Sequence, residues 1–253
     1  NREEALKTLI CAHRGASGYA PENTLEAFAL AVEQGAEAVE LDVHLSRDRE
    51  LVVAHDERID RVSDGTGYIG QLSLKEIKKH LFNATHPQYQ EAKAPTLEEV
   101  FDLLKETNLI INVELKNNYM PYEGMEERCI SLAAKKGMSD RIIYSSFNHR
   151  SLLRIKEIDS EAVCGVLYNC CLIEPWDYGR KLGIEAIHPH YSELLLNPDE
   201  CEASHKAGLK VNTWTVNDDR DMKKIILMGA DMLITNYPDR ALAVRDSMRP
   251  ISV

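Results

Sequence analysis

Two stretches of this sequence set charged side chains at alternate positions among apolar ones. In Val39-Glu40-Leu41-Asp42-Val43 the carboxylates share one parity and the aliphatic residues the other. Ile111-Asn112-Val113-Glu114-Leu115-Lys116 repeats the split. Successive side chains on a strand face opposite ways, so each stretch reads as a strand with one apolar and one polar face. If the two strands are neighbours, Glu40, Asp42, Glu114 and Lys116 converge. Three carboxylates at close quarters repel one another unless protons or a cation intervene. An all-oxygen set of this kind suits one hard divalent cation, Mg2+ or Ca2+, better than zinc or copper. The competing reading is a set of buried ion pairs with Lys116 and Arg14, or a wet pore. Any one acid alone favours that reading; three together, on two strands assigned separately, favour the metal.

Around these acids the sequence offers groups that handle protons and phosphate. His13 and Arg14 directly follow a first strand, and Gly15 and Gly18 make a loop before the next helix. Arginine clamps a phosphate with two parallel hydrogen bonds, and a glycine-rich turn lets backbone N–H groups approach an anion. His55, followed by Asp56, ends a short apolar run. Each histidine is a weak signal alone; their common placement raises both. Trp214, two residues on from Asn212, is expected to face the barrel interior, where its ring either packs on substrate carbons or plugs the core. His44, His188 and His190 are read as structural or as supports behind the site rather than catalytic, and His80, His86, His149 and His205 as surface residues.

The elements that must position these groups follow from periodicity. Candidate strands are Leu9–Ala12, Ala38–Val43, Leu109–Leu115, Arg141–Ser145, Ala162–Leu167, Glu185–His188, Leu209–Thr213 and Met232–Thr235, with helical sequence between them. Such alternation indicates a parallel sheet, and eight repeats favour an α/β fold closed as a (β/α)8 TIM barrel. Barrel active sites lie at the carboxyl ends of the strands, where the polar residues above fall. Helix starts are expected at Asn23, at Thr96 with Glu99 as a capping box, at Asn197-Pro198 and at Asn217, with Leu25, Phe28, Ala29 and Val32 as the buried face of the first helix. Glu50–Ala54 breaks the alternation. Only a short turn separates it from the second strand, so it must run antiparallel, which returns His55 to the side of Asp42. The chain therefore reads as one barrel domain over 1–253, with a small insertion at about 56–95 after the second barrel strand; there Ser73 with Glu76 caps a short helix.

A net charge of −11 argues against a basic nucleic-acid grip but not against a small anionic substrate held by a few local cations or a metal. The six cysteines lack zinc or CxxC spacing and read as reduced thiols, which suggests a cytoplasmic protein. No run approaches the roughly 20 apolar residues of a spanning helix, and no basic amphipathic segment is seen, so no stable membrane anchor is expected.

The segments His13-Arg14-Gly15-Ala16-Ser17-Gly18-Tyr19-Ala20-Pro21-Glu22-Asn23-Thr24, Glu40-Leu41-Asp42, Leu51-Val52-Val53-Ala54-His55-Asp56 and Val113-Glu114-Leu115-Lys116 together resemble the glycerophosphodiester phosphodiesterase family. Asn212-Thr213-Trp214-Thr215-Val216-Asn217 and Thr235-Asn236-Tyr237-Pro238-Asp239 agree, so the resemblance spans nearly the whole chain. It implies metal-dependent hydrolysis of glycerophosphodiesters to an alcohol and sn-glycerol 3-phosphate. It further implies Glu40, Asp42 and Glu114 as metal ligands, His13 and His55 as the acid–base pair with His13 as base, and Arg14 and Lys116 as phosphate contacts. Water and the neighbouring glycerol hydroxyl both stand as nucleophile. The rivals are a lysophospholipase D-like or phosphoinositide-cleaving barrel enzyme and a non-catalytic phosphate-ester binding protein.

Overall fold

Backbone pairing turns the alternation read from sequence into a closed sheet. The computed structural model describes residues 7–248. Its strands are β1 (Leu9–His13), β2 (Ala38–Leu45), β3 (Leu51–Val53), β4 (Ile110–Leu115), β5 (Ile142–Ser146), β6 (Val163–Tyr168), β7 (Ala186–Pro189), β8 (Lys210–Thr213) and β9 (Met232–Thr235). All neighbours pair in parallel except β3, and β1 bonds to both β2 and β9, which closes an eight-stranded barrel. β3 lies antiparallel on the part of β2 that outruns the barrel. The fold is thus the (β/α)8 barrel expected from the sequence.

The two faces of each strand do different work. Val39, Leu41 and Val43 of β2, with Ile111, Val113 and Leu115 of β4, are buried in one cluster with Phe28, Leu97 and Phe101 from the covering helices. The opposite parity points into the barrel. Cys11, Ala38, Met232 and Ile234 form a small apolar cluster there. Beyond them come hydrogen-bonded polar groups: Ser145 Oγ donates to Asn112 Oδ1 at 2.7 Å, and Asn212 Nδ2 lies 3.0 Å from His188 Nε2. His188 is fully buried, and burial pushes its imidazole down to about 3, which fits a structural filler. Gly165 makes the room: a Cβ there would sit 2.1 Å from His188 Nε2.

Helix starts depart from expectation where side chains serve the site or a loop. Thr24, not Asn23, caps the helix Leu25–Glu33, its side chain accepting from the Ala27 N–H. Asn23 sits at φ 56 and donates to Asp42 instead. The buried stripe of that helix is Ala27, Phe28 and Ala31, while Ala29 faces solvent. Asp218 replaces Asn217 as the cap of Asp219–Leu227, because Asn217 Oδ1 accepts from Thr235 Oγ1 and the Asn236 N–H. Asn197 closes the helix Tyr191–Leu196, and the next helix, Glu200–Lys206, starts after Asp199. The capping boxes at Thr96/Glu99 and Ser73/Glu76 form as expected.

After β3 the chain leaves the barrel wall and returns near Thr96. Val52, Ala54, Ile59, Val62, Ile69, Ile77, Phe82 and Ala94 make a separate apolar cluster over this stretch. It anchors the segment beside His55, at the carboxyl ends of β1 and β2.

Candidate active site

Strand register decides which polar residues meet. Asp42 pairs with Glu114, and Glu40 with both His13 and Asn112. All three acids are almost fully buried, and one oxygen of each lies within 4.8 Å of the others. Oxygens on opposite sides of Mg2+ or Ca2+ stand roughly 4–5 Å apart, given metal–oxygen distances of about 2.0–2.6 Å, so the spacing fits a hard divalent ion. Asp42 Oδ2 accepts from Asn23 Nδ2 at 2.9 Å, whereas Asp42 Oδ1 is buried with no hydrogen-bond partner among the described residues. A buried carboxylate oxygen left so is costly unless something else satisfies it. Burial, and then Asp42, lifts the Glu114 carboxyl to about 8; burial with Asp42 and Glu114 likewise raises Glu40. Without a cation, protons must relieve the crowding. The residues fit the metal.

The histidines approach this cluster from two sides. His13 Nδ1 is 2.7 Å from Asn236 Oδ1, an acceptor, so the proton sits on Nδ1; Nε2 is 3.9 Å from Glu40 Oε2 and free to accept. Burial, then the Arg14 guanidinium, pushes the His13 imidazole down to about 4, against the hydrogen bond to Asn236. His55 arrives on the antiparallel arm, where the Ala54 N–H bonds the Asp42 carbonyl at 3.0 Å. Its Nδ1 is 2.7 Å from Asp56 Oδ1, and its Nε2 is 3.3 Å from Lys116 Nζ. His44 supports it from behind: the ring bonds the His55 carbonyl through Nε2 at 2.8 Å and Tyr122 through Nδ1 at 2.9 Å. Burial pushes His44 down to about 4, consistent with a neutral ring in that position.

Two cations complete the cleft. Lys116 donates to Glu114 at 3.1 Å. The Arg14 backbone N–H donates to Glu40 at 3.0 Å, its Nη1 to Glu22 at 2.8 Å, and its Nε lies 3.4 Å from Asp42 Oδ2. Arg14 holds φ 55, a strained position for a side-chain-bearing residue, and Gly15 follows at φ 78. A Cβ on Gly15 would meet the Ala27 backbone at 2.6 Å. Gly15→Ala is therefore expected to lower the thermal midpoint, by more than the roughly 1 kcal/mol of an ordinary glycine exchange, and to cut activity beyond the loss of folded protein. Calorimetry beside an assay of the folded fraction checks it.

His13, Arg14, Glu40, His55, Glu114, Lys116 and Trp214 all line one cleft, with Phe147 and Leu167 as an apolar wall. The ring of Trp214 is half-buried, donates to the His188 carbonyl at 2.9 Å and stands edge-on to Phe147 at 5.7 Å. Every site residue expected from sequence thus reaches the same place. Asn236, which orients His13, and Asp56, which orients His55, carry no role that their sequence neighbourhood predicts. Asn23, a helix cap by local chemistry, holds Asp42 instead. Asn236 was findable, since it directly follows β9 at the barrel's active end.

The Glycerophosphoryl diester phosphodiesterase family model matches residues 13–240. A glycerophosphodiester phosphodiesterase of Caldanaerobacter subterraneus is 39% identical, covering 92% of this chain and 96% of the relative. One from Bacillus altitudinis is 33% identical over 96% of this chain and its own full length. Among solved structures, an Oleispira antarctica phosphodiesterase in complex with the product sn-glycerol-3-phosphate superimposes with a TM-score of 0.84, at 31% identity over 94% of this chain and 96% of that one. The Agrobacterium tumefaciens glycerophosphodiester phosphodiesterase gives 0.81 at 29% identity over 93% and 99%.

Proposed function

The chain belongs to the glycerophosphoryl diester phosphodiesterase family, and from that premise we propose that it hydrolyses glycerophosphodiesters to an alcohol and sn-glycerol 3-phosphate in the cleft between His13 and His55. One observation carries the proposal: Glu40, Glu114, two imidazoles and two cations line a single cleft, and buried Asp42 completes the acid cluster beside it. The Oleispira product complex supports a small glycerophosphate ligand. Among the described residues no helix is long and apolar enough to cross a membrane. A reducing, cytoplasmic setting belongs to the same proposal, supported by the free buried thiols of Cys11, Cys129, Cys164 and Cys201.

Glu40, Asp42 and Glu114 would hold Mg2+ or Ca2+. When bound, that ion supplies Lewis-acid charge to the phosphoryl oxygens. Arg14 and Lys116 face the same phosphate and oppose the negative charge that builds as the bond to the attacking oxygen forms. His13, neutral with its proton fixed on Nδ1 by Asn236, takes the nucleophile's proton at Nε2. His55, backed by the Asp56 carboxylate, carries a proton to the leaving alkoxide. Trp214 and Phe147 supply an apolar surface for the glycerol carbons.

The test is a panel of glycerophosphodiesters and lysophospholipids assayed with EDTA, Mg2+ and Ca2+ in turn. Release of sn-glycerol 3-phosphate from soluble diesters, lost with EDTA, is expected. Head-group release from lysolipids alone would move the assignment to a lysophospholipase D-like enzyme. Binding without turnover would make the protein a phosphate-ester binder.

A further inference from the structure

The cleft is buttressed from outside by a residue that touches neither the acids nor the imidazoles. Arg61 lies on the segment after β3, between Ile59 and Val62, both buried in that segment's own apolar cluster. Its guanidinium reaches two carboxylates at once. Nε and Nη2 donate to Asp56 at 2.8 and 3.1 Å; Nη1 and Nη2 donate to Glu22 at 2.7 and 3.0 Å. Glu22 stands in the loop after β1, 39 residues away in sequence.

What separates this fork from an ordinary surface ion pair is the far side of each carboxylate. Glu22 Oε2 also accepts from Arg14 Nη1 at 2.8 Å, and Asp56 Oδ1 is 2.7 Å from His55 Nδ1. An unbroken chain therefore runs Arg14–Glu22–Arg61–Asp56–His55, from the proposed phosphate clamp to one member of the proposed acid–base pair. The side chain of Arg61 is 45% exposed, so as an isolated contact it would add little to stability. As a planar fork it fixes the direction of both carboxylates, which a point-charge lysine in its place would not.

We infer that Arg61 is a positioning residue: by holding Glu22 and Asp56 in one plane of hydrogen bonds, it sets the Arg14 guanidinium and the His55 ring relative to each other. The inference rests on the functional reading above. Mechanically it gives the segment after β3 a task in the reaction. The apolar cluster holds Arg61, Arg61 holds Asp56, and Asp56 keeps the His55 proton on Nδ1, so that Nε2 faces the cleft. Without the fork, Asp56 loses two of its hydrogen bonds and is free to swing, and the His55 ring has no fixed orientation. Arg14 loses the partner that braces Glu22.

The experiment uses the full chain with its divalent cation and compares Arg61→Gln, Asp56→Asn, the double variant and a control, Arg58→Ala. Arg58 sits on the same segment but, among the described residues, pairs with Asp60, Thr66 and the Tyr68 ring and with no residue of the cleft. Arg61→Gln is expected to lower kcat by about 10–100-fold, the usual range for a group that orients a site residue from behind, with the thermal midpoint unchanged. Because Arg61 acts on His55 through Asp56, the double variant loses less than the product of the two single losses, and any loss beyond Asp56→Asn comes from the Glu22–Arg14 arm. Arg58→Ala stays at wild-type rate. A second readout needs no turnover: the His55 Nδ1 proton of the cation-free protein should give an exchange-protected downfield NMR resonance. That line broadens or vanishes in Arg61→Gln and persists in Arg58→Ala. Losses that multiply in the double variant, a kcat for Arg61→Gln within about twofold of wild type, or an unaltered resonance would each overturn the inference. A wild type that shows the resonance yet hydrolyses no glycerophosphodiester would instead sink the functional reading, and the resonance in Arg61→Gln would still judge Arg61.

Discussion

His13→Ala and His55→Ala should each lower kcat by about 10²–10⁴ while leaving the thermal midpoint and the cation-binding constant close to wild type. The two losses have different origins. His13 is set up to receive a proton: Asn236 fixes the Nδ1–H tautomer, and burial with Arg14 keeps the ring at about 4, so it stays neutral through the physiological range. A divalent cation beside Glu40 would push in the same direction, by like-charge repulsion. His55 has a carboxylate partner, Asp56, which holds the ring by its Nδ1 and leaves Nε2 towards the cleft. Because the two act in one transition state, the double variant should fall little below either single one. Steady-state kinetics with a saturating soluble diester, beside calorimetry, checks the pair. A variant that loses its midpoint and its activity in parallel would assign a structural role to that histidine instead.

The sequence carried the barrel and most of the cleft because both rest on short-range rules. The parity of Glu40, Asp42, Glu114 and Lys116 gives their common face without knowledge of the fold, and the brevity of the Ser46–Arg49 turn compels β3 to return antiparallel with His55 at its end. What stayed hidden was the pairing of side chains across long sequence separations. Asn23 and Asn217 look like helix caps by local chemistry, yet their side chains bond Asp42 and the β9 loop, and their neighbours Thr24 and Asp218 take over as caps. Arg61 is one arginine in a charged stretch; nothing in its neighbours says that it will meet Glu22. Asn236 is 223 residues from His13, and only closure of β9 onto β1 brings them within 2.7 Å.

The cation should change how stability depends on pH. In the cation-free fold Glu114 keeps its proton up to about 8, whereas an unfolded chain releases it near the ordinary 4.5. Across that interval the folded state binds the extra proton, so stability falls as pH rises; Glu40, raised by burial and its two acidic neighbours, adds in the same sense. His13 and His44 work oppositely. The fold holds both near 4 and the unfolded chain near 6.5, so stability is lost as pH falls from 6.5 towards 4. Above 6.5 the imidazole contribution is complete and only the acids still act. The midpoint of the cation-free protein should therefore peak on the mildly acidic side and decline towards pH 8. A cation that replaces the protons removes that decline, so its stabilisation grows from pH 6 to pH 8. At about 100 times its Kd it is worth roughly 2.7 kcal/mol, or some 5–10 °C in a chain of this size. Asp42→Asn, which removes charge at the centre of the cluster and alters the oxygen with no partner among the described residues, should abolish the cation's effect on the midpoint. Calorimetry at three pH values with EDTA, Mg2+ or Ca2+ reads the whole pattern. A midpoint indifferent to both ions at pH 8 would mean that the three acids are not a cation site at all.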